Sequence, residues 1–294
     1  MVLKEVNLEK IVDGDGHLNE DIEAIARLMP AKFRDRLFSG KATLLNQLYP
    51  PIDHFHSAMP VEVPEGSFAP VGVDGWVDFA DDVGIDSAVL YPSAGLAFGK
   101  VVNMDWAIAL AQAYNNWLYE TYLKRDSRFK AVGLIPMQDP AEAVKELRRC
   151  VQELGMVGAM LPSNGFKDHI GAKDYWPVYE EANRLKCAMA VHGGSHENYG
   201  FDHMNVYAPV HALGHPFGQM IGFAGLIFNG VMDKFPNVKW GFLEGGISWF
   251  MLCLERFDRS YETHIHSDPR EELIQLRAGE RISDYIKRNI DEDR

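Results

Sequence analysis

The chain has 294 residues, 47% of them hydrophobic, enough to bury a large core and compatible with one α/β barrel carrying an insertion as readily as with two domains. Its 29 Lys and Arg against 42 Asp and Glu give a net charge of −13, which speaks against nucleic acid or an anionic membrane as partner and leaves a small-molecule substrate. No run reaches the ~18 apolar residues of a membrane span, the N-terminus has no signal-peptide core, and three scattered cysteines (Cys150, Cys187 and Cys253) without a CxxC fit a reducing, cytoplasmic setting.

In chain order, the first apolar run, 10–14, closes in Asp13-Gly14-Asp15-Gly16-His17. Residues 30–80 then hold Pro50, Pro51, Pro60, Pro64 and Pro70 among glycines and aromatics, and read as a loop-rich insertion over the mouth of the fold. A strand is predicted at 86–91. Asn103 caps a helix whose Trp106, Leu110, Trp117 and Leu118 favour one side. After a strand at 129–135, Asp139 and Pro140 form an N-cap and N1 pair, Val144, Leu147, Val151 and Leu154 recur at helical spacing, and Gly155 stops the helix. A strand at 157–161, a helix at 174–186, a strand at 188–192, a core helix within 220–232, a strand at 238–243 and a helix at 247–261 follow. Residues 270–294 read as polar and helical.

Most of these strands are continuous apolar runs, as expected for parallel strands covered on both faces. Strand and helix in alternation mean a parallel sheet, and the fold class is α/β, a (β/α)8 barrel formed by 1–294 as one domain. Six strands are legible where a closed barrel needs eight. Either two are hidden in 270–294 or C-terminal strands are missing from the chain, and we expect the latter, because an open arc exposes sheet edges that proteins avoid.

Residues i and i+2 of a strand point the same way, so Asp15 and His17 can share one metal; Asp-Gly pairs also form turns, and the motif alone leaves both readings open. Gly14 and Gly16 are read as removing bulk between the ligands. His192 ends an apolar strand before Gly193-Gly194, at the rim where barrel active sites lie. Glu244 repeats that grammar before Gly245-Gly246, and a buried strand-end carboxylate needs a partner or a metal. His54 and His56 look like a pair but sit among prolines, as pocket lining or surface. His211 and His215 are four apart with Gly214 and Pro216 intruding, so that His215-Pro216 reads as a helix entry. His196 follows His192 closely enough to support it. His264 and His266 read as exposed loop. No nucleophile elbow, Walker loop or Rossmann glycine pattern occurs.

Val12-Asp-Gly-Asp-Gly-His17, Val191-His-Gly-Gly194 and Phe235-Pro-Asn-Val-Lys-Trp-Gly-Phe-Leu-Glu-Gly-Gly-Ile-Ser-Trp249, with 154–161 and Glu255-Arg256, make the chain similar to the amidohydrolase-related family of amino-carboxymuconate-semialdehyde decarboxylase. The resemblance covers most of the chain. It implies a (β/α)8 barrel with one divalent metal (zinc, manganese or iron) and either decarboxylation or hydrolysis. It implies metal binding by Asp15 and His17, which stand where the family has His-x-His, and by His192. Glu244 stands where the family has a water-activating histidine, which leaves it as ligand or as acid and base, with His192 beside it in catalysis. The family's last ligand, an aspartate in GlySerAspTyrProHis, has no counterpart here. Arg256 lies near the family's substrate-carboxylate arginine, which in some members crosses a dimer interface, and a homodimer or higher oligomer is expected.

The first functional expectation is a non-oxidative decarboxylase of a small aromatic or unsaturated carboxylic acid. The second is a hydrolase of an ester, thioester, lactone or amide, with Glu244 as base for metal-activated water. The third is a non-catalytic ligand-binding barrel. Bound metal speaks against the third, and CO2 release separates the first two.

Overall fold

The computed structural model describes residues 9–40, 48–53, 72–270 and 273–290. Among them six strands, β1 (Val12–Leu18), β2 (Ser87–Pro92), β3 (Phe129–Leu134), β4 (Gly158–Pro162), β5 (Ala188–His192) and β6 (Lys239–Phe242), form one sheet in sequence order. Every pairing is parallel. All six expected strands are present. The first starts later than its apolar run and continues to Leu18, so Asp15 and His17 lie within it.

Ten α-helices accompany the strands among the described residues: α1 (Ile22–Leu28), α2 (Ala31–Leu37), α3 (Val73–Val83), α4 (Met104–Leu118), α5 (Pro140–Gln152), α6 (Trp176–Leu185), α7 (Tyr207–Phe228), α8 (Val231–Lys234), α9 (Ser248–His264) and α10 (Ile282–Arg288). The caps follow the sequence. Asn103 accepts from Trp106 N at α4, Asp139 accepts from Ala141 N and Glu142 N at α5, and Gly155 turns left-handed just beyond α5 with φ 66°. Strands β2 to β5 are buried on nearly every residue, as expected for parallel strands covered on both faces. At the core of this packing, fully buried Asn115 of α4 donates to Leu134 O (2.8 Å) and to Glu146 Oε1 of α5 (2.7 Å) and accepts from Leu134 N (2.9 Å).

The sheet is curled. In a flat sheet β1 and β5, four positions apart at ~4.8 Å per strand, would stand ~19 Å from one another. Instead His17 Nε2 of β1 lies 3.1 Å from His192 Nε2 of β5. The architecture is that of an α/β barrel wall, with the functional rim at the carboxyl ends of its strands.

Two expectations need correction, and one gains detail: the 30–80 stretch, read as loop-rich, holds α2 and most of α3 among its described residues. Gly16 does not make room between ligands. A Cβ there would meet Trp76 Cη2 at 2.8 Å and Leu90 Cδ2 at 3.3 Å, so this glycine admits core packing, while Gly14 has open space around it. His215-Pro216 is not a helix entry, because α7 begins at Tyr207 and runs through Pro216. Its glycines are a close-packing face: a Cβ at Gly214 would meet the His196 ring at 2.3 Å, and one at Gly218 would meet Ser163 Oγ at 2.4 Å. Tertiary contact of that closeness overrides the weak helix propensity of glycine. Residues 273–290 contain α10 and no strand.

Candidate metal centre

Three strand ends bring four side chains together: Asp15 and His17 from β1, His192 from β5, and Glu244 two residues past β6. One ligand atom from each lies within 4.8 Å of the others. A β-bulge between Asp13 and Gly16 aims the first pair; Asp13 Oδ1 accepts from Asp15 N at 3.0 Å and holds that bulge. Glu244 sits in the left-handed region, φ 62°. For a residue with a Cβ this conformation costs about 1–2 kcal/mol and persists where surrounding contacts impose it.

The two imidazoles are oriented by their backs. His17 Nδ1 lies 3.0 Å from Pro92 O, and His192 Nδ1 lies 2.8 Å from Gly193 O. A carbonyl only accepts, so each Nδ1 carries a proton, and in the neutral ring Nε2 is the nitrogen that holds the lone pair. Those lone pairs face each other at 3.1 Å, with Asp15 Oδ1 3.3 Å from His192 Nε2 and 3.8 Å from His17 Nε2. Glu244 Oε1 is 3.9 Å from His17 Nε2. Such an array repels itself unless a cation, or a proton on one nitrogen, lies within it. Two nitrogens bound to one tetrahedral ion at ~2.1 Å stand ~3.4 Å apart, close to the spacing found. Two imidazoles and two carboxylates suit zinc, manganese or iron, and the four residues fit one divalent ion.

The local field follows. Burial lowers the His17 pKa, and the neighbouring His192 adds to this. Burial also works against His192, but the Asp15 hydrogen bond, the Gly193 carbonyl and Glu244 outweigh it and hold that imidazole above its ordinary value. Tyr91, at the end of β2, packs with its ring 5.4 Å from His192; burial, then Asp15 and Asp13, push its phenol far up, so it stays neutral.

His215 reaches in from α7. Its Nδ1 faces Glu244 Oε2 at 3.4 Å, and its ring meets those of His196 and His211 edge-on at 4.9 and 5.1 Å. Burial, then His196 and His211, push its pKa down to about 4. His196 Nδ1 lies 3.4 Å from buried Asp53 Oδ2. Lys100, after β2, binds Pro51 O at 2.6 Å and Glu197 at 2.5 Å. Residues 51–53 of the insertion therefore touch the loops that follow β2 and β5. His54 and His56 lie outside the described residues. Arg256 is exposed on α9, and among the described residues no hydrogen bond or ion pair joins it to the cluster. His264 is exposed at the end of α9, where its Nδ1 pairs with Thr263. The sequence reading missed Tyr91, Asp53 and Gln219, the last of which spans β5 and β6; a buried amide in an apolar helix was the available signal for Gln219.

The comparisons bear on the fold and the family. A family profile described as Amidohydrolase matches residues 12–273. The chain is 31% identical over 181 residues to a 2-amino-3-carboxymuconate-6-semialdehyde decarboxylase of Dictyostelium discoideum, covering 62% of this chain and 49% of that one. It is 30% identical over 228 residues to a gamma-resorcylate decarboxylase of Polaromonas sp., covering 73% of this chain and 66% of that one. The chain thus spans about half to two thirds of the length of these two relatives. Among solved structures, a 5-carboxyvanillate decarboxylase of Novosphingobium aromaticivorans with bound manganese superposes with a TM-score of 0.63 at 20% identity, over 95% of this chain and 77% of that one. A dihydroxybenzoic acid decarboxylase of Polaromonas sp., with manganese and 2-nitroresorcinol, gives 0.58 at 20% identity, over 95% and 76%. The curled parallel sheet, the cluster of His and carboxylate side chains at its rim and the profile match over 12–273 converge, and this chain belongs to the amidohydrolase family.

Proposed function

We propose that this chain carries the metal centre of a non-oxidative decarboxylase acting on a small aromatic or unsaturated carboxylic acid. The observation that carries the reading is the convergence of Asp15, His17, His192 and Glu244, with the two imidazole Nε2 atoms 3.1 Å apart. The decarboxylase relatives and the manganese in two structural neighbours support it. When bound, a divalent ion supplies a Lewis acid that orients substrate oxygens and holds negative charge developing on them. The chain's own residues supply the rest. Loss of CO2 leaves an electron pair on carbon that must take a proton, and Glu244 Oε2, with His215 Nδ1 behind it at 3.4 Å, is the group that holds and delivers it. Tyr91, buried and neutral, packs against His192 and walls the site on the β2 side.

The same reading takes 1–294 as one domain whose six strands are part of a (β/α)8 barrel, with 30–80 over its mouth and His54 or His56 near the pocket. The contact of Asp53 with His196 supports that placement of the insertion. The protein is read as a cytoplasmic homodimer or higher oligomer in which Arg256 serves a substrate carboxylate across the interface. Three buried free cysteines fit a reducing compartment, and no helix among the described residues is long and apolar enough to cross a membrane. Light scattering tests the oligomer.

The deciding experiment loads the purified protein with Mn2+ or Zn2+ and offers a panel of hydroxybenzoic and enoic acids. The expected result is CO2 release with solvent deuterium entering the carbon that lost it, and Glu244→Gln loses most turnover. Cleavage of esters, thioesters or lactones without CO2 from any acid would replace this reading with hydrolysis.

A further inference from the structure

Helix α7 crosses the gap between the ends of β5 and β6. His215 and Gln219, one turn apart and therefore on one face, both point into that gap. Gln219 is fully buried. Its Nε2 donates to Leu243 O at 2.8 Å and to Val191 O at 3.3 Å. Since carbonyls only accept, the orientation of this amide is set by its partners. Val191 immediately precedes His192, and Leu243 immediately precedes Glu244. One side chain therefore ties together the two backbone positions from which two of the four ligand side chains depart.

That tie falls where the backbone needs it. The β5–β6 ladder ends at Val191 and Phe242, with Leu243 N adding a last bond to Val191 O at 3.0 Å. Beyond this point the sheet no longer holds the chains in register, and the chain enters Glu244 at φ 62°. A left-handed residue with a Cβ relaxes unless its neighbours fix it. Gly245 lets the clamp approach: a Cβ there would meet Gln219 Cγ at 3.0 Å and Trp249 Nε1 at 2.6 Å.

We propose that Gln219 is a positioning residue whose amide, bridging Val191 O and Leu243 O, sets the separation and aim of His192 and Glu244 toward a shared divalent ion. The inference rests on the metal-centre reading above. It names a determinant of that centre which carries no charge and touches neither ion nor substrate.

The test is Mn2+ affinity, measured by titration calorimetry and by the EPR signal of free Mn2+, with thermal melting in EDTA as the readout of fold alone. Gln219→Met keeps the volume and removes both donors. It should weaken Mn2+ binding about ten-fold or more, in the range known for groups that orient metal ligands. Gln219→Glu, neutral when so buried, keeps one donor and should lose less; it decides alone should Gln219→Met not fold. In a Glu244→Gln background the clamp has less left to aim, and Gln219→Met should there weaken binding by less than a factor of about three. A Gln219→Met protein that binds Mn2+ as the parent does, or a loss of equal size in both backgrounds, overturns the inference and leaves the metal centre standing. A parent that binds neither Mn2+ nor Zn2+ overturns both.

Discussion

Replacing Gly193 by alanine probes the seat of His215 directly. An ideal Cβ at 193 would lie 1.9 Å from His215 Nδ1 and 2.7 Å from its Cε1. The ring has no easy way out, since the rings of His196 and His211 meet it edge-on and Glu244 faces it. Overpacking of this kind costs about 1–3 kcal/mol, and at ~2–4 °C per kcal/mol for a domain of this size the melting temperature should fall by roughly 2–12 °C. His215→Ala removes the ring, so in that background Gly193→Ala should cost no more than about 0.5 kcal/mol, the scale of a neutral substitution. The assay is a four-protein cycle of thermal melts followed by circular dichroism in EDTA, which keeps metal binding out of the comparison. A coupling nearly equal to the single-mutant loss is expected. An equal fall in both backgrounds, or no fall in either, would refute the seating of His215 over Gly193.

Saturating metal should stabilise the parent by about 2.7 kcal/mol at a free concentration 100 times Kd. His17→Ala, which removes one of four ligands, should forfeit most of that shift; identical melting with and without Mn2+ or Zn2+ would count against the centre. Glu181 of α6, bonded to Arg184 and Arg148, is held down at about 2 against an ordinary 4.5. A depressed acid contributes stability above its ordinary pKa and loses it as pH falls toward the folded value. Both guanidiniums are about half exposed, so at ~1.4 kcal/mol per unit the contribution discounts to about 1–2 kcal/mol. Glu181→Gln should be weaker by that amount at pH 7 and converge with the parent near pH 2; a gap persisting in acid would contradict the assignment. Asn115→Leu strands the Leu134 backbone groups from their side-chain partner, takes one of the bonds on Glu146 and should cost about 2–4 kcal/mol in urea unfolding, whereas a loss under 1 kcal/mol would show that the network is dispensable.

The four-residue cluster was legible because strand grammar is local. In β5 and β6 the apolar run places the carboxyl end, with His192 closing the one and Glu244 just past the other, and in β1 Asp15 and His17 follow the 10–14 run within a few residues. Parallel strands share one rim, so residues 177 positions apart, Asp15 and His192, become neighbours by a rule that needs no knowledge of the contact itself. The caps at Asn103 and Asp139 are local for the same reason.

What only the tertiary structure decided is the support behind that cluster. Gly214 and Pro216 carry a local preference against helix, and it took the contact of the Gly214 face with the His196 ring to keep α7 continuous and bring His215 to Glu244. Gln219 reads in sequence as one polar residue in an apolar helix; its role exists only because Val191 O and Leu243 O, 52 residues apart, are brought within reach of one amide. Tyr91 and Asp53 belong to the site through packing across strands and loops, and Gly16 serves Trp76 on the opposite side of its strand. Periodicity and strand-end chemistry are written along the chain, within a few residues of where they act. Close packing between distant segments depends on the volumes and angles of elements that meet only in the folded state, and no local pattern encodes it.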